Sequence, residues 1–457
     1  MTTLVDRLSR YTTSLQYDDL PPEVVQQAKR LIVDTVGCAL GGYWSEPARI
    51  VRDLAATVRS SEPVSIIGSG ARTSHDLGTF ANGVMIRFLD YNDGYTSIGE
   101  SGHPSDSIAA VLTTAELRRR GGRDAIVATV LAYEIFCRVC DAADLKPVGF
   151  DHVTVGCMAS TAAAARLLGL NQQEVAQAFN LAIAANIALY QTRIGEVAMW
   201  KGCAYANASR NAVFAATLAA RGMTGPSPIF EGIGGYFKAV TREPFELPAF
   251  GGSGTSFKIM ECSMKRFPLG QYSQTVVEAA LQLRDKIGSP DDIAEVRIET
   301  VTTAIKIMAG DPEKWEPKTR ESADHSMPYT VAVALMHGEV EEKHFGERYL
   351  RDPKLLALTR KVRAETSAEA DARMPEAMLC RIVVVTTAGA SHEASVQYHR
   401  GHWKNPMSQA EVEAKFRKLA ANMLNDTQVQ RLLAALWSLE DLPDAGEILR
   451  LTASGTQ

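Results

Sequence analysis

The chain has 457 residues, 46% of them hydrophobic, which suits two or three domains with a sizeable buried core. A formal net charge of -5 and a pI near 6.0 exclude the basic surface that nucleic-acid binding requires. No apolar run reaches the roughly 18 residues of a membrane span, and the first ten residues lack the apolar core of a secretory signal. The seven dispersed cysteines suit a reducing compartment, so the expected location is the cytoplasm. Cys137 and Cys140 form a lone CxxC inside a helical pattern, where they read as packed thiols.

From the start to about residue 265 the sequence reads as helix after helix. Pro21-Pro22-Glu23 opens one that runs to Gly41-Gly42, with apolar residues at helical spacing. Val64 to Ile67 is a short strand candidate. Further helices are predicted over 106–120, 124–144, 158–168, 172–189 and 207–221. Asn171 with Glu174 has the spacing of a capping box. Many of these segments are rich in Ala, Gly, Ser and Cys, which lets helices approach closely.

The pattern changes near Phe267-Pro268. A helix over 273–286 precedes Ile293 to Val301, whose apolar residues alternate as in a half-buried strand. Helical stretches return over 327–336 and 354–358. Residues 377–387 and 392–399 then read as a hairpin around Ala388-Gly389-Ala390. Two or three helices follow Asn405-Pro406. The expected architecture is therefore mainly α. A discontinuous all-helical domain takes residues 1–266 and 404–457, and a smaller α+β domain takes 267–403.

Several side chains stand out chemically. Asp90 and Asp93 would share a face if their segment is helical. A glycine-rich loop then leads to His103-Pro104-Ser105-Asp106, where Asp106 has the position of a helix cap. These residues suit an acid–base pair, a hard-metal site or a capped loop facing solvent. His152 stands before a small-residue helix, as a cap partner or a site residue. Lys201 borders a helix poor in charge, and Lys265 precedes Arg266-Phe267-Pro268 at the expected domain boundary, where clefts form. Ser326 suits an N-cap, with Tyr329 in the first turn beside free N–H groups that favour anions. No nucleotide loop is present, so no nucleotide site is expected, and no nucleophile elbow occurs.

Together these stretches resemble the MmgE/PrpD family. The matching pieces are Ala81-Asn82-Gly83 through Asp90-Tyr91-Asn92-Asp93, His103 to Asp106, Met199-Trp200-Lys201, Lys265 to Pro268, Pro317 to Arg320, Ser326 to Tyr329 and Asn405-Pro406-Met407. The resemblance implies a large helical domain, a smaller α+β lid and a homodimer. It also implies metal-independent chemistry without a cofactor on a small di- or tricarboxylate, and charge and hydropathy add no nucleic-acid or membrane partner. Carried over by motif, Asp90, His103, His152 and Tyr329 are expected to be catalytic, and Lys201 and Lys265 to meet substrate. Arg87 and Arg320 are added on charge as further carboxylate ligands. The expected base is His103 or Asp90, and the expected acid side is His152 with Tyr329.

Family activities include 2-methylcitrate dehydration, cis-aconitate decarboxylation and iminodisuccinate epimerisation. The segment from Pro317 to Tyr329 looks most like the dehydratase branch. Gly94 stands where the decarboxylase pattern has a threonine, and Tyr272 where some dehydratases have a histidine. A non-catalytic carboxylate-binding or oligomeric interaction protein is the alternative from another class.

Overall fold

The computed structural model describes residues 2–195 and 197–454. Helices dominate the first part: α1 (Leu4–Ser14), α2 (Pro22–Gly42), α3 (Glu46–Ala56), α4 (His75–Phe88), α5 (Ile108–Arg118), α6 (Gly122–Ala142), α7 (Val153–Leu168), α8 (Gln172–Ala185) and α9 (Trp200–Ala219). Pro22 starts α2 as its first residue, where a missing N–H leaves nothing unsatisfied. The Asn171 capping box forms in both directions and fixes the start of α8. A two-stranded ribbon pairs β1 (Val64–Ser65) with β2 (Arg72–Thr73).

Small residues set the spacing of the bundle. Helix α7 is buried on nearly every face and packs against α6, α8 and α9. Helix α4 packs on α9 so closely that a Cβ at Gly83 would lie 2.8 Å from the Ala206 Cβ.

Beyond Phe267 come α10 (Gln274–Ile287), β3 (Ile293–Thr300), α11 (Thr302–Met308), α12 (Arg320–Ala323) and α13 (Met327–His337). They are followed by α14 (Glu347–Leu350), α15 (Pro353–Thr359), β4 (Val362–Thr366), α16 (Ala368–Asp371), β5 (Cys380–Thr386) and β6 (Ser391–Val396). The sheet order is β4-β3-β5-β6, with β3 and β4 parallel and the other pairs antiparallel. Helix α10 packs against β5, β6 and α13. The alternation read in β3 is real: Ile293, Val296, Ile298 and Thr300 are buried while its charged residues face outward. The chain ends in α17 (Gln409–Ala420), α18 (Asp426–Trp437) and α19 (Glu447–Leu451).

Buried apolar residues form two clusters. One gathers Leu4 to Met264 and resumes at Met407; the other runs from Phe267 to Val396. No helix among the described residues is long and apolar enough to cross a membrane.

Three local expectations change. Helix α8 ends at Ala185, so the stretch to Met199 is irregular apart from one turn at Tyr190–Arg193. Helix α9 begins at Trp200 rather than 207, which puts Lys201 in its first turn. Strand β4 carries Arg363, Glu365 and Thr366 on an edge, and its short, charged run hid it among loop residues.

Candidate active site

A cavity of about 80 Å³ opens where the two apolar clusters meet. One wall comes from the helical bundle: Arg87 at the end of α4, Ser101 to His103, Asp151 and His152 before α7, Tyr190, Arg193 and Val197 beyond α8, Lys201, and Lys146. The opposite wall comes from Gly270 to Tyr272, Ile307 and Met308 of α11, Lys314 and His325. Of the residues expected at the site, Arg87, His103, His152 and Lys201 line this space.

Asp90 sits one layer behind the lining. Helix α4 stops at Phe88, and Asp90 itself has a left-handed φ of 49°, a strained conformation that Asp tolerates better than most residues. The segment is therefore not helical, and Asp90 and Asp93 do not share a face. The Asp93 carboxylate accepts from the Ser105 amide at 3.2 Å. The Asp90 carboxylate instead collects cations. Arg87 Nη1 lies at 2.6 Å, Lys201 Nζ and His325 Nε2 both at 3.2 Å, and Lys265 Nζ bonds both the side chain and, at 2.9 Å, the Asp90 carbonyl. Burial alone would raise the Asp90 pKa, but Arg87, Lys265 and Lys201 outweigh it and hold the carboxyl well below the usual range. Lys265 responds in the opposite sense: burial draws its ammonium down to about 8, against the pull of Asp90.

His103 is prepared differently. Its Nδ1 lies 2.7 Å from the Asp93 carbonyl, so Nδ1 carries the proton and donates it. Nε2 then presents its lone pair, 4.0 Å from the Asp90 carboxylate. Burial, with help from Arg87 and Lys265, holds the ring well below its ordinary pKa, so it is neutral near pH 7. His152 stands edge-on to it, with ring centroids 5.7 Å apart. Its Nδ1 lies 3.3 Å from Asp151, which Arg193 grips through Nε at 2.8 Å, and its Nε2 is buried with no partner among the described residues. Burial lowers its pKa to about 3.

Asp106 does not cap the next helix. Its carboxylate accepts from Asn92 Nδ2 at 2.7 Å and faces Arg87 Nε at 3.4 Å, while Pro104–Ser107 form a short 3-10 turn into α5.

Asp324 and His325, inside the segment from Pro317 to Tyr329, join the site although nothing in the sequence singles them out. Lys201 Nζ donates to Asp324 at 2.9 Å and lies 2.8 Å from His325 Nδ1; that same ring nitrogen is 2.5 Å from Asp324. Burial and then Lys201 lower the His325 pKa to about 4. Asp90, Asp324 and His325 bring ligand-type atoms within 4.8 Å of one another, a grouping suited to a divalent ion. Here the ammonium of Lys201 already sits between the two carboxylates, and Arg87 and Lys265 add positive charge on the same side. This donor set favours an internal cation over a metal ion.

Two expected residues lie elsewhere. Tyr329 is buried in the second apolar cluster beside Phe345, and its hydroxyl donates to the His344 carbonyl at 2.7 Å. Ser326 does cap α13, accepting from the Tyr329 amide at 3.1 Å, but the side chain beyond that amide turns away from the cavity. Arg320 stacks on Phe88 and donates to the Phe88 carbonyl and to Asp324, both at 3.1 Å. It braces Asp324 and does not line the cavity.

Gly94 has a steric meaning. A Cβ there would lie 1.9 Å from Gln271 Oε1. The Gln271 side chain thus fills the space above Gly94, bonds Thr96 and lines the cavity from the opposite wall.

The pattern of the MmgE/PrpD N-terminal domain matches residues 6–248, and that of the MmgE/PrpD C-terminal domain matches residues 267–441. The chain belongs to the MmgE/PrpD family. Among its relatives, a 2-methylcitrate dehydratase from Cupriavidus necator is 29% identical, with 94% of this chain and 92% of that protein aligned. The human cis-aconitate decarboxylase is 26% identical over 96% of this chain and 92% of its own length. The Escherichia coli K12 2-methylcitrate dehydratase is 28% identical over 88% of this chain and 87% of its own. Family membership and these relatives support a lyase of the dehydratase and decarboxylase kind. In this MmgE/PrpD chain Lys146, Arg193 and Lys314 were not legible as site residues. Each lies in a loop or single turn with no periodic pattern to mark its direction.

Proposed function

We propose that this chain is a metal-independent carbon–oxygen lyase that dehydrates 2-methylcitrate, or a similar tricarboxylate, to 2-methylaconitate. The observation that carries this reading is the free Nε2 of a neutral His103 at a cavity also lined by Arg87, Lys146, Arg193, Lys201 and Lys314. A small polyanion is the ligand such a lining favours.

His103 Nε2 takes the proton from the carbon next to a carboxylate, and the resulting enolate-like charge is held by Arg87 and Lys201. The carbon–oxygen bond breaks, and the departing hydroxide takes a proton from the Lys201 ammonium and leaves as water. After product release His103 gives the proton it took to solvent and Lys201 regains one through its contact with His325, which restores the starting state. Asp90 positions this machinery and is not the base, because a carboxylate stabilised by three cations is a poor proton acceptor. Gly94 accords with dehydration over decarboxylation, since the threonine of the decarboxylase pattern would displace the Gln271 side chain from its place over this loop. The reading takes the chain as a cytoplasmic homodimer in which residues 267–403 act as a lid; the seven free, buried cysteines accord with a reducing compartment.

The test is product analysis with EDTA present. Conversion of 2-methylcitrate to a conjugated product, followed by ultraviolet absorbance, is expected. No product from 2-methylcitrate, citrate, cis-aconitate or iminodisuccinate at high enzyme concentration sinks the lyase reading. Turnover of cis-aconitate or iminodisuccinate alone moves the chain to another branch of the family.

A further inference from the structure

Four of the cations lining the cavity come with a carboxylate of their own. Arg87 has Asp90 at 2.6 Å, Lys146 has Glu100 at 2.6 Å, Arg193 has Asp151 at 2.8 Å, and Lys201 has Asp324 at 2.9 Å. Lys314 is the exception. Its residue is 5% exposed, it lines the same cavity, and among the described residues its ammonium has neither a carboxylate within 4.0 Å nor a hydrogen bond. Burial disfavours this cation and nearby Lys201 adds repulsion, which the more distant Asp311, Asp324 and Glu313 offset only in part. Its backbone is nevertheless held firmly: the amide donates to the Asp311 carbonyl at 3.0 Å, and the carbonyl accepts from the hydroxyl of Ser326, the residue after His325. The chain thus fixes, opposite His103 and His152, a positive charge that has no directly paired carboxylate among the described residues.

We infer that Lys314 binds one carboxylate of the substrate from the lid side and sets the preference for a tricarboxylate over a dicarboxylate. The inference rests on the tricarboxylate reading above. The internal pairs neutralise the other cations locally, so they orient substrate without adding a full charge each. Lys314 contributes a full charge to the cavity, and an incoming carboxylate removes the cost of burying it. Burial also lowers the lysine's pKa, so a bound carboxylate raises it again by favouring the charged form.

The experiment uses the full chain and citrate as the probe, with glutarate as the dicarboxylate control. In Lys314→Met, citrate affinity measured by calorimetry and thermal shift is expected to fall on the order of tenfold or more, with glutarate affinity changed far less. KM for 2-methylcitrate rises with it while kcat moves by only about threefold, the signature of lost ground-state binding. Lys314→Arg is expected to keep most of the citrate affinity. A purely structural role would lower stability without separating the two ligands, so Lys314→Gln serves as a second variant if the methionine form does not fold. A folded variant that binds citrate as well as the parent overturns the assignment of Lys314 alone. A parent chain that binds no citrate and turns over no tricarboxylate overturns the tricarboxylate reading, and this inference with it.

Discussion

The two walls of the cavity are built on opposite plans. On the helical side each cation is matched: Arg193 with Asp151, Lys146 with Glu100, and Arg87 with Asp90 and Asp106. On the side of residues 267–403 Lys314 has no paired carboxylate among the described residues, and His325 shares one nitrogen with both an ammonium and a carboxylate. The first wall is braced by its own ion pairs. The second is electrostatically incomplete among the described residues, so an anion in the cavity would satisfy it more than the first.

The hardest test of the matched wall is Asp90→Asn. It leaves Arg87, Lys201 and Lys265 buried around a neutral amide, and is expected to cost about 3–5 kcal/mol in chemical denaturation. Asp151→Asn, facing a single arginine, is expected to cost only about 1–3 kcal/mol. Equal losses would break the comparison. Next in size is His103→Ala, expected to lower kcat by about a hundredfold or more while citrate binding persists. A wild-type rate would remove His103 from the chemistry.

Acidity sharpens the contrast further. His152, with a pKa of about 3, and His325, with one of about 4, are neutral in the folded chain, whereas unfolding returns them to about 6.5. The unfolded state therefore binds more protons as pH falls below about 6.5, and stability is lost between there and about pH 3. Lys265, at about 8, is depressed from an unfolded value near 10.4, so deprotonating it removes a buried charge and stability rises between those values. Activity runs the other way. If the ammonium of Lys265 must hold Asp90, kcat/KM falls above about pH 8, and Lys265→Arg shifts that limb upward. A flat profile from pH 7 to 10 would separate Lys265 from turnover. The smallest effect belongs to Ser326→Ala, which removes the α13 cap and the bond to the Lys314 carbonyl, for about 1 kcal/mol.

Much of the fold was legible because its signals are periodic or positional. The α2 proline start, the Asn171 box, the β3 alternation and the β5–β6 hairpin all appear where the residues place them. The change of pattern near Phe267 adjoins the point where one apolar cluster gives way to the other. The site was legible in part. Arg87, His103, His152 and Lys201 meet at the cavity, and Asp90 and Lys265 stand directly behind it. Tyr329 misled because a cap fixes an amide and not the direction of the side chain three residues on. Asp324 and His325 were passed over because their roles depend on Lys201, which lies over 120 residues away in sequence. Helix α8 was drawn too long because Ile187 and Leu189 continue the helical spacing, though both are largely exposed on irregular chain.

The Gly94–Gln271 contact reaches beyond this one cavity. The glycine lies on the loop that holds Asp90 and His103, and the glutamine enters from the far wall to occupy the volume a side chain would fill. The two positions behave as a tongue and its slot. When residues 267–403 are exchanged between relatives, both halves of that joint are expected to travel together, since a chimera that carries Gly94→Thr while keeping Gln271 must turn the glutamine side chain out of its slot. Substrate choice in such a pair of domains is inherited as a joint, one residue from each side.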